Sequence, residues 1–216
     1  GGGHDAIELN GSAVFAATGT SIEELIFDGA SGEAIVRATG LASLNTITIS
    51  GSQTQIPSIS GLHNSGLTVN AIYDATAQTY VFSAGGAITV NLDVDPSKTT
   101  VSDNDFSFRA NATDVATINI APNTSGVGTY NVQKASSVDV SFDSTSVFGG
   151  TINHSSATTL NVSGAGTIAG ATLSGESTTS VNINAASAQL AFGASAVQTV
   201  TVSVEGGFGF NTGTNL

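Results

Sequence analysis

The chain has 216 residues and 40% hydrophobic residues, so it can bury a core and is not expected to be disordered. Four Lys and Arg side chains stand against sixteen Asp and Glu, a net charge of −12 that argues against binding to nucleic acids or to anionic lipid. Cysteine is absent, which excludes disulfides and thiol chemistry, and no apolar run is long enough to cross a membrane.

A short apolar–polar–apolar motif recurs along the whole sequence. Its ten copies are the pairs Ile7/Leu9, Leu25/Phe27, Ile47/Ile49, Leu67/Val69, Ile88/Val90, Ile118/Ile120, Val138/Val140, Leu160/Val162, Val181/Ile183 and Val200/Val202. The first members of these pairs are 18, 22, 20, 21, 30, 20, 22, 21 and 19 residues apart. Alternation places both apolar side chains on one face of a strand. The pattern therefore predicts a repeat architecture with a period near twenty and one insertion.

The remainder of many repeats contains a second short apolar segment. Examples are Ala34–Val36, Tyr80–Phe82, Tyr130–Val132, Thr151–Ile152 and Gln189–Phe192, with Gly and Ser between them to turn corners. Two or three strands in each coil favour an all-β fold, a parallel β-helix (β-solenoid) of about ten coils with a period of about 20 residues. A β-sandwich ranks second, because it does not require one motif in constant phase. We expect a single solenoid domain over residues 1–204.

The N-terminal segment carries a candidate calcium ligand. Residues 1–9 fit the second half of the calcium-binding nonapeptide, with Gly3 at the turn, Asp5 as the carboxylate and Ile7 as the apolar anchor. The alternative is a glycine-rich capping turn. Further on, Ser21–Phe27 could begin a short helix capped by Ser21, but the phase of the repeat favours a strand at Leu25–Phe27.

An acidic insertion is predicted at residues 92–117. It contains Asp93, Asp95, Asp103 and Asp105, four of the sixteen acids within thirteen residues. Carboxylates held this close repel one another, and a hard cation with oxygen ligands would relieve the repulsion. The order of residues does not match an EF-hand loop. A calcium site and a solvated acidic loop, with Lys98 offsetting some charge, both remain open.

Residues 118–204 are the most regular part of the sequence. The motif places Asn119, Asn161 and Asn182 between the two apolar positions of their coils, which predicts a stacked amide ladder. The alternative is that these are soluble strand-surface residues. The pattern is lost in residues 205–216, which we interpret as a cap or linker.

The sequence resembles a known family. Runs such as Ala157–Gly164 and Thr117–Ala121, the few Lys and Arg residues, the absence of Cys and the Gly3-x-Asp5-x-Ile7 start resemble the Ser/Thr/Ala/Gly-rich solenoids of RTX-type bacterial surface-layer proteins and large RTX adhesins. The tandem nonapeptides of that family are missing. The resemblance implies secretion to the bacterial cell surface, calcium-dependent folding and assembly with copies of itself into a lattice.

Three functions were weighed. The first is a structural segment of a self-assembling extracellular surface layer, with calcium at Asp5 or in the acidic insertion. The second is the stalk or glycan-binding module of a secreted adhesin that contacts cell-surface polysaccharide through polar ladders. The third is a polysaccharide-degrading enzyme, suggested only by analogy with other β-helices. Four scattered cations make a poor catalytic set, so we expect no enzyme activity.

Overall fold

A computed structural model describes residues 3–10, 13–19, 21–28, 34–50, 58–60, 66–72, 79–92, 102–104, 106–112, 114–195 and 198–210. The strands in chain order are β1 (Ala6–Leu9), β2 (Ala13–Gly19), β3 (Glu24–Asp28), β4 (Ala34–Leu41), β5 (Thr46–Ser50), β6 (Ser58–Ser60), β7 (Gly66–Ala71), β8 (Thr79–Ser83), β9 (Ala87–Leu92), β10 (Ser102–Asn104), β11 (Ser107–Asn111), β12 (Val115–Ile120), β13 (Thr124–Gly126), β14 (Thr129–Gln133), β15 (Ser137–Phe142), β16 (Val147–Phe148), β17 (Thr151–His154), β18 (Thr159–Gly164), β19 (Thr167–Gly175), β20 (Ser180–Ala185), β21 (Ser187–Ser195), β22 (Thr199–Val204) and β23 (Phe208–Phe210).

These strands form two parallel sheets. Sheet A contains ten strands in the order β1-β3-β5-β7-β9-β12-β15-β18-β20-β22. Sheet B contains thirteen strands, in the order β10-β13-β16-β19-β17-β14-β11-β8-β6-β4-β2, with β21 paired to β19 and β23. Successive strands of sheet A always come from successive turns of the chain, which is the topology of a parallel β-solenoid. The predicted fold class is confirmed.

The register of sheet A defines a period of about 22 residues. One inward row consists of Ile7, Leu25, Ile47, Val69, Val90, Ile118, Val140, Val162, Ile183 and Val202. Its members are 18, 22, 22, 21, 28, 22, 22, 21 and 19 residues apart, so about seven turns keep the regular length.

The predicted phase of two copies is wrong by two residues. Ile47 pairs with Val69, not with Leu67, and Ile118 pairs with Val140, not with Val138. The strands of sheet A present up to three inward positions, and a motif of two residues can be laid on either neighbouring pair. The expected period of 20 and the count of ten coils shift for the same reason.

The core is a continuous column between the sheets. Inward side chains of sheet A such as Leu25, Ile47 and Val162 are at most 1% exposed. From sheet B the column receives a run of aromatic rings, in which Tyr80 stacks on Phe106 with ring centroids 4.5 Å apart. Phe108 and Tyr130 follow at 5.3 Å. Burial of each large apolar side chain contributes about 1.5–3 kcal/mol, so each turn is stabilised mainly by the turns above and below it.

Glycines allow the turns to bend where backbone approaches backbone. In β19 the register shifts between Ala169 and Ala171, and Gly170 between them has φ +76°, a conformation that glycine adopts without strain. The first half of β19 pairs with β16 and the second half with β17. β19 therefore forms two faces of the same turn.

The extra length is confined to a short part of the predicted insertion. Leu92 pairs with Ile120 and Tyr80 with Phe108, both 28 residues apart, whereas Phe108 pairs with Tyr130 at the regular 22. The additional six residues therefore lie between Leu92 and Ser107. The remainder of 92–117 belongs to ordinary strands β11 and β12.

The last described residues are not a simple linker. Phe208–Phe210 form β23, which pairs with Ala188–Leu190 of β21. Residues 211–216 of the expected cap lie outside the described part of the chain. Glu24–Asp28 form a strand and not the alternative helix, as the phase of the repeat predicted. In the described ranges, no helix has the length and apolar character needed to cross a membrane.

Candidate functional site: the outward face of sheet A

Two straight rows of polar side chains lie on the outward face of sheet A. Row 1 consists of Glu24, Thr46, Thr68, Thr89, Thr117, Asp139, Asn161, Asn182 and Thr201. Row 2 consists of Thr48, Asn70, Asn91, Asn119, Ser141, Ser163, Asn184 and Ser203. Both rows follow directly from period-two alternation, because every second residue of each strand enters the core.

Row 2 is held together by side-chain hydrogen bonds between turns. The Asn91 Nδ2 group donates to Asn70 Oδ1 at 2.8 Å, and the Asn119 Nδ2 group donates to Asn91 Oδ1 at 2.8 Å. The Ser141 hydroxyl then donates to Asn119 Oδ1 at 2.6 Å. Each amide has two N–H groups and two lone pairs on its oxygen, so the ladder leaves each of them capacity for an external partner.

Row 1 contains a second, shorter ladder. Asn161 donates to Asp139 Oδ1 at 2.6 Å, and Asn182 donates to Asn161 Oδ1 at 2.8 Å. The predicted stacking of Asn161 on Asn182 is therefore confirmed. Asn119 belongs to row 2, two residues further along its strand, so the expectation that all three Asn share one position is wrong. The cause is the same error of phase that displaced Ile118.

The two rows are uncharged over their central turns. Between Thr46 and Asn119 they contain only Thr and Asn side chains, and the carboxylates of the rows lie on either side, at Glu24 and Asp139. The face is thus a regular, neutral array of hydroxyl and amide groups on a chain that is strongly acidic elsewhere. Such a surface can offer hydrogen bonds to a neutral polar partner without an ionic contribution.

The N-terminal edge contains Asp5, one of the predicted metal ligands. Its backbone N–H donates to Glu23 Oε2 at 2.8 Å, and its carbonyl oxygen accepts from the Glu23 N–H at 2.9 Å. Glu24 is engaged elsewhere: one oxygen accepts from the Thr48 hydroxyl and the other pairs with His4 at 2.8 Å. The Thr48 hydrogen bond, followed by that of His4, lowers the pKa of Glu24.

The remaining predicted ligands are not positioned by the described residues. Asp93, Asp95 and Asp105 lie outside them, and Asp103 is described only as part of β10, paired with Ser125 of β13. Among the described residues, no three His, Asp or Glu side chains form a group that could hold a metal ion. Asp5 therefore does not form a site with its described neighbours, and calcium in the acidic insertion stays a prediction.

One polar residue of the core was missed by the sequence analysis. His154 is 6% exposed, and its imidazole forms a 2.9 Å hydrogen bond with the Thr178 hydroxyl. Burial lowers the pKa of His154, because the charged imidazolium loses its hydration. The signal was present in the alternation of Thr151–His154, which directs Ile152 and His154 to the same side.

A shallow cleft lies beside this histidine at the ends of β14, β17 and β19. Its lining includes Asn131, Asn153, His154, Ser174 and Glu176. The Asn153 Nδ2 group donates to Asn131 Oδ1 at 3.2 Å, so sheet B also has a short amide contact on its outward face.

Comparison with known proteins identifies no relative. No protein-family model, no curated protein and no solved structure matches this chain.

Proposed function

We propose that this chain is a structural segment of a self-assembling extracellular surface-layer protein on a bacterial cell. The observation that carries the proposal is the unbroken stack of ten parallel strands in sheet A, with apolar rows that run through every turn. A solenoid of this kind is rigid along its axis and presents the same face at regular intervals. These are the properties required of a repeating unit in a lattice.

Charge supports an extracellular environment rich in divalent cations. The chain has a net charge of −12 and only four basic residues, so packing of copies against one another needs counterions. We propose calcium as this counterion, with oxygen ligands from Asp93, Asp95, Asp103 and Asp105 in the acidic insertion. The support is the density of acids between Leu92 and Ser107 and the resemblance to RTX-type surface proteins.

The test is assembly of the purified 216-residue chain with calcium, with magnesium and with chelator, followed by electron microscopy and light scattering. We expect ordered assemblies in calcium that dissolve in chelator. The variant Asp93→Asn/Asp95→Asn/Asp105→Asn should lose the calcium response, whereas Asp103, which lies in a paired strand, is left unchanged. Assemblies that keep their size and order in chelator would exclude metal-mediated packing.

A matched control removes the same charge from exposed acids elsewhere. Asp28→Asn/Asp114→Asn/Glu176→Gln also neutralises three carboxylates, all exposed. If this variant responds to calcium like the insertion variant, the effect reflects net charge and not a site. If it behaves like the unchanged chain, the insertion is the site of the ion.

A second function is favoured by the neutral centre of rows 1 and 2. Their unpaired hydroxyl and amide capacity could bind a neutral cell-surface polysaccharide, as in the stalk of an adhesin. A glycan array tests this with Asn91→Glu, which places a charge in the centre of row 2. Asn153→Glu, at an amide contact of sheet B, is the matched control. Retained binding by Asn91→Glu would show that sheet A is not the glycan surface.

A further inference from the structure

The C-terminal end of the solenoid exposes part of its core. β22 pairs with β20 and, within the described residues, with no strand on its other side. Val200, Val202 and Val204 point inward, in register with side chains of β20 that are at most 3% exposed, but these valines are only partly buried. Phe208 of β23 is 38% exposed at the same end. A strand edge and a row of apolar side chains are therefore open together.

The N-terminal end is the counterpart of this surface. β1 pairs with β3 and, in the described part of the chain, with no other strand. Ile7 points inward and is only partly buried, and Leu9 beside it is 9% exposed. Both ends therefore present an edge strand of the same sheet, running in the same direction.

The two edges match in register. Ile7 and Val202 belong to the same inward row, and Leu9 and Val204 belong to the next row. We propose that β1 of a second copy adds to β22 as the next strand of sheet A, with Ile7 beside Val202 and Leu9 beside Val204. Backbone hydrogen bonds and continued apolar rows would then bury both ends at once.

This contact makes the solenoids grow head to tail. Because the two surfaces are different, the contact is heterologous and does not close, so each added copy exposes a new end. The inference rests on the proposed self-assembly and names its axial contact. It requires no ion, in contrast to the calcium proposed for packing through the acidic insertion.

Electrostatics predict how salt affects this contact. Asp5 and Glu8 are exposed at the N-terminal end and Glu205 at the C-terminal end, so the docked ends repel one another. Sodium chloride screens exposed charges over about 10 Å at 0.1 M. Axial association should therefore strengthen with added sodium chloride, in the presence of chelator. Association held by ion pairs would weaken under the same conditions.

The test uses glutamate at one end or the other. Ile7→Glu and Val202→Glu place an unpaired charge in the proposed contact, and sedimentation velocity should show association at least about tenfold weaker for each. Ala6→Glu and Thr201→Glu are the controls, since they add the same charge to the outward faces of the same strands. Circular dichroism checks that each variant folds, and Val202→Thr replaces a variant that does not.

Mixing the two variants gives the most specific result. Ile7→Glu keeps an intact C-terminal end and Val202→Glu an intact N-terminal end, so an equimolar mixture should form dimers that stop at two copies. A mixture that stays monomeric, or variants that assemble like the unchanged chain, would overturn the head-to-tail contact while lateral assembly and the proposed function stand. An unchanged chain that stays monomeric in chelator and in calcium would overturn both.

Discussion

At the scale of single residues, the polar side chains of this protein have two different environments. Those of rows 1 and 2 lie on the surface and hydrogen-bond to the same position one turn away, as Asn91 does with Asn70 and Asn119. His154 instead lies in the core and bonds Thr178. The surface ladders stabilise the stacking of turns, whereas the buried imidazole is tolerated only while it is neutral.

The environment of His154 predicts a loss of stability in mild acid. Its folded-state pKa is lowered by burial, below the ordinary value of 6.5, so the unfolded chain takes up the proton first. The free energy of unfolding should therefore be highest above pH 6.5 and decrease as the pH falls below it, by at most about 1.4 kcal/mol per pH unit. Urea unfolding between pH 7.5 and 5 measures this. His154→Gln, which keeps a hydrogen-bonding amide for Thr178, should remove the decrease; an unchanged slope would assign it to other groups.

The amide ladder predicts a position-dependent cost of removing asparagine. Asn91→Ala deletes a side chain that donates one 2.8 Å hydrogen bond and accepts another, so unfolding should become easier by about 1–3 kcal/mol. Asn184→Ala, in the same row but at an exposed position, should cost less than about 0.5 kcal/mol. Denaturant melts of both variants decide the matter. Equal costs would mean that the ladder contributes nothing beyond surface solubility.

At the scale of elements, each strand is too short to be stable alone. β18 has six residues, and only its two neighbours in sheet A bury the edges of its backbone. Corners must be tight to keep successive strands in register. Gly150 lies between β16 and β17 at such a corner, where a Cβ atom would be 2.7 Å from the Gly128 carbonyl oxygen and 2.8 Å from Tyr130 Cε2.

Crowding at this corner predicts that Gly150→Ala destabilises the fold. The added methyl group must displace backbone oxygen or the Tyr130 ring, at a cost of about 1–3 kcal/mol. Gly207→Ala is the control, since no atom lies within 4 Å of its Cβ position. Thermal melts should separate the two variants by several degrees. A stable Gly150→Ala would show that this corner relaxes freely.

At the scale of the whole molecule, stability should follow position along the axis. In a stack where each turn contacts only its neighbours, inner turns are supported on both sides and end turns on one. This asymmetry is visible in burial: Val140 and Val162 are 1% exposed, whereas Val202 is only partly buried.

Hydrogen exchange should therefore reveal a gradient. At low protein concentration, amides of β15 and β18 should exchange only with global unfolding, whereas those of β22 should exchange through fraying of the end. Mass spectrometry of peptides covering 137–142 and 199–204 measures the difference. Raising the protein concentration should protect β22 selectively if copies join end to end. Uniform protection at low concentration would contradict the one-dimensional description.

The sequence alone determined the class of fold and the two faces of each strand. Period two and a spacing near twenty residues separate buried from exposed positions without knowledge of any contact, and the strands at Leu25–Phe27 and Tyr130–Val132 follow from them. Tertiary structure alone decided which residues lie directly above one another. Ile118 could stand over Val138 or Val140 by hydrophobicity, since both point inward. Only backbone pairing selects Val140, and that choice moves Asn119 from the row of Asn161 to the row of Asn91. His154 and the open valines of β22 depend in the same way on packing between turns, which a linear pattern does not contain.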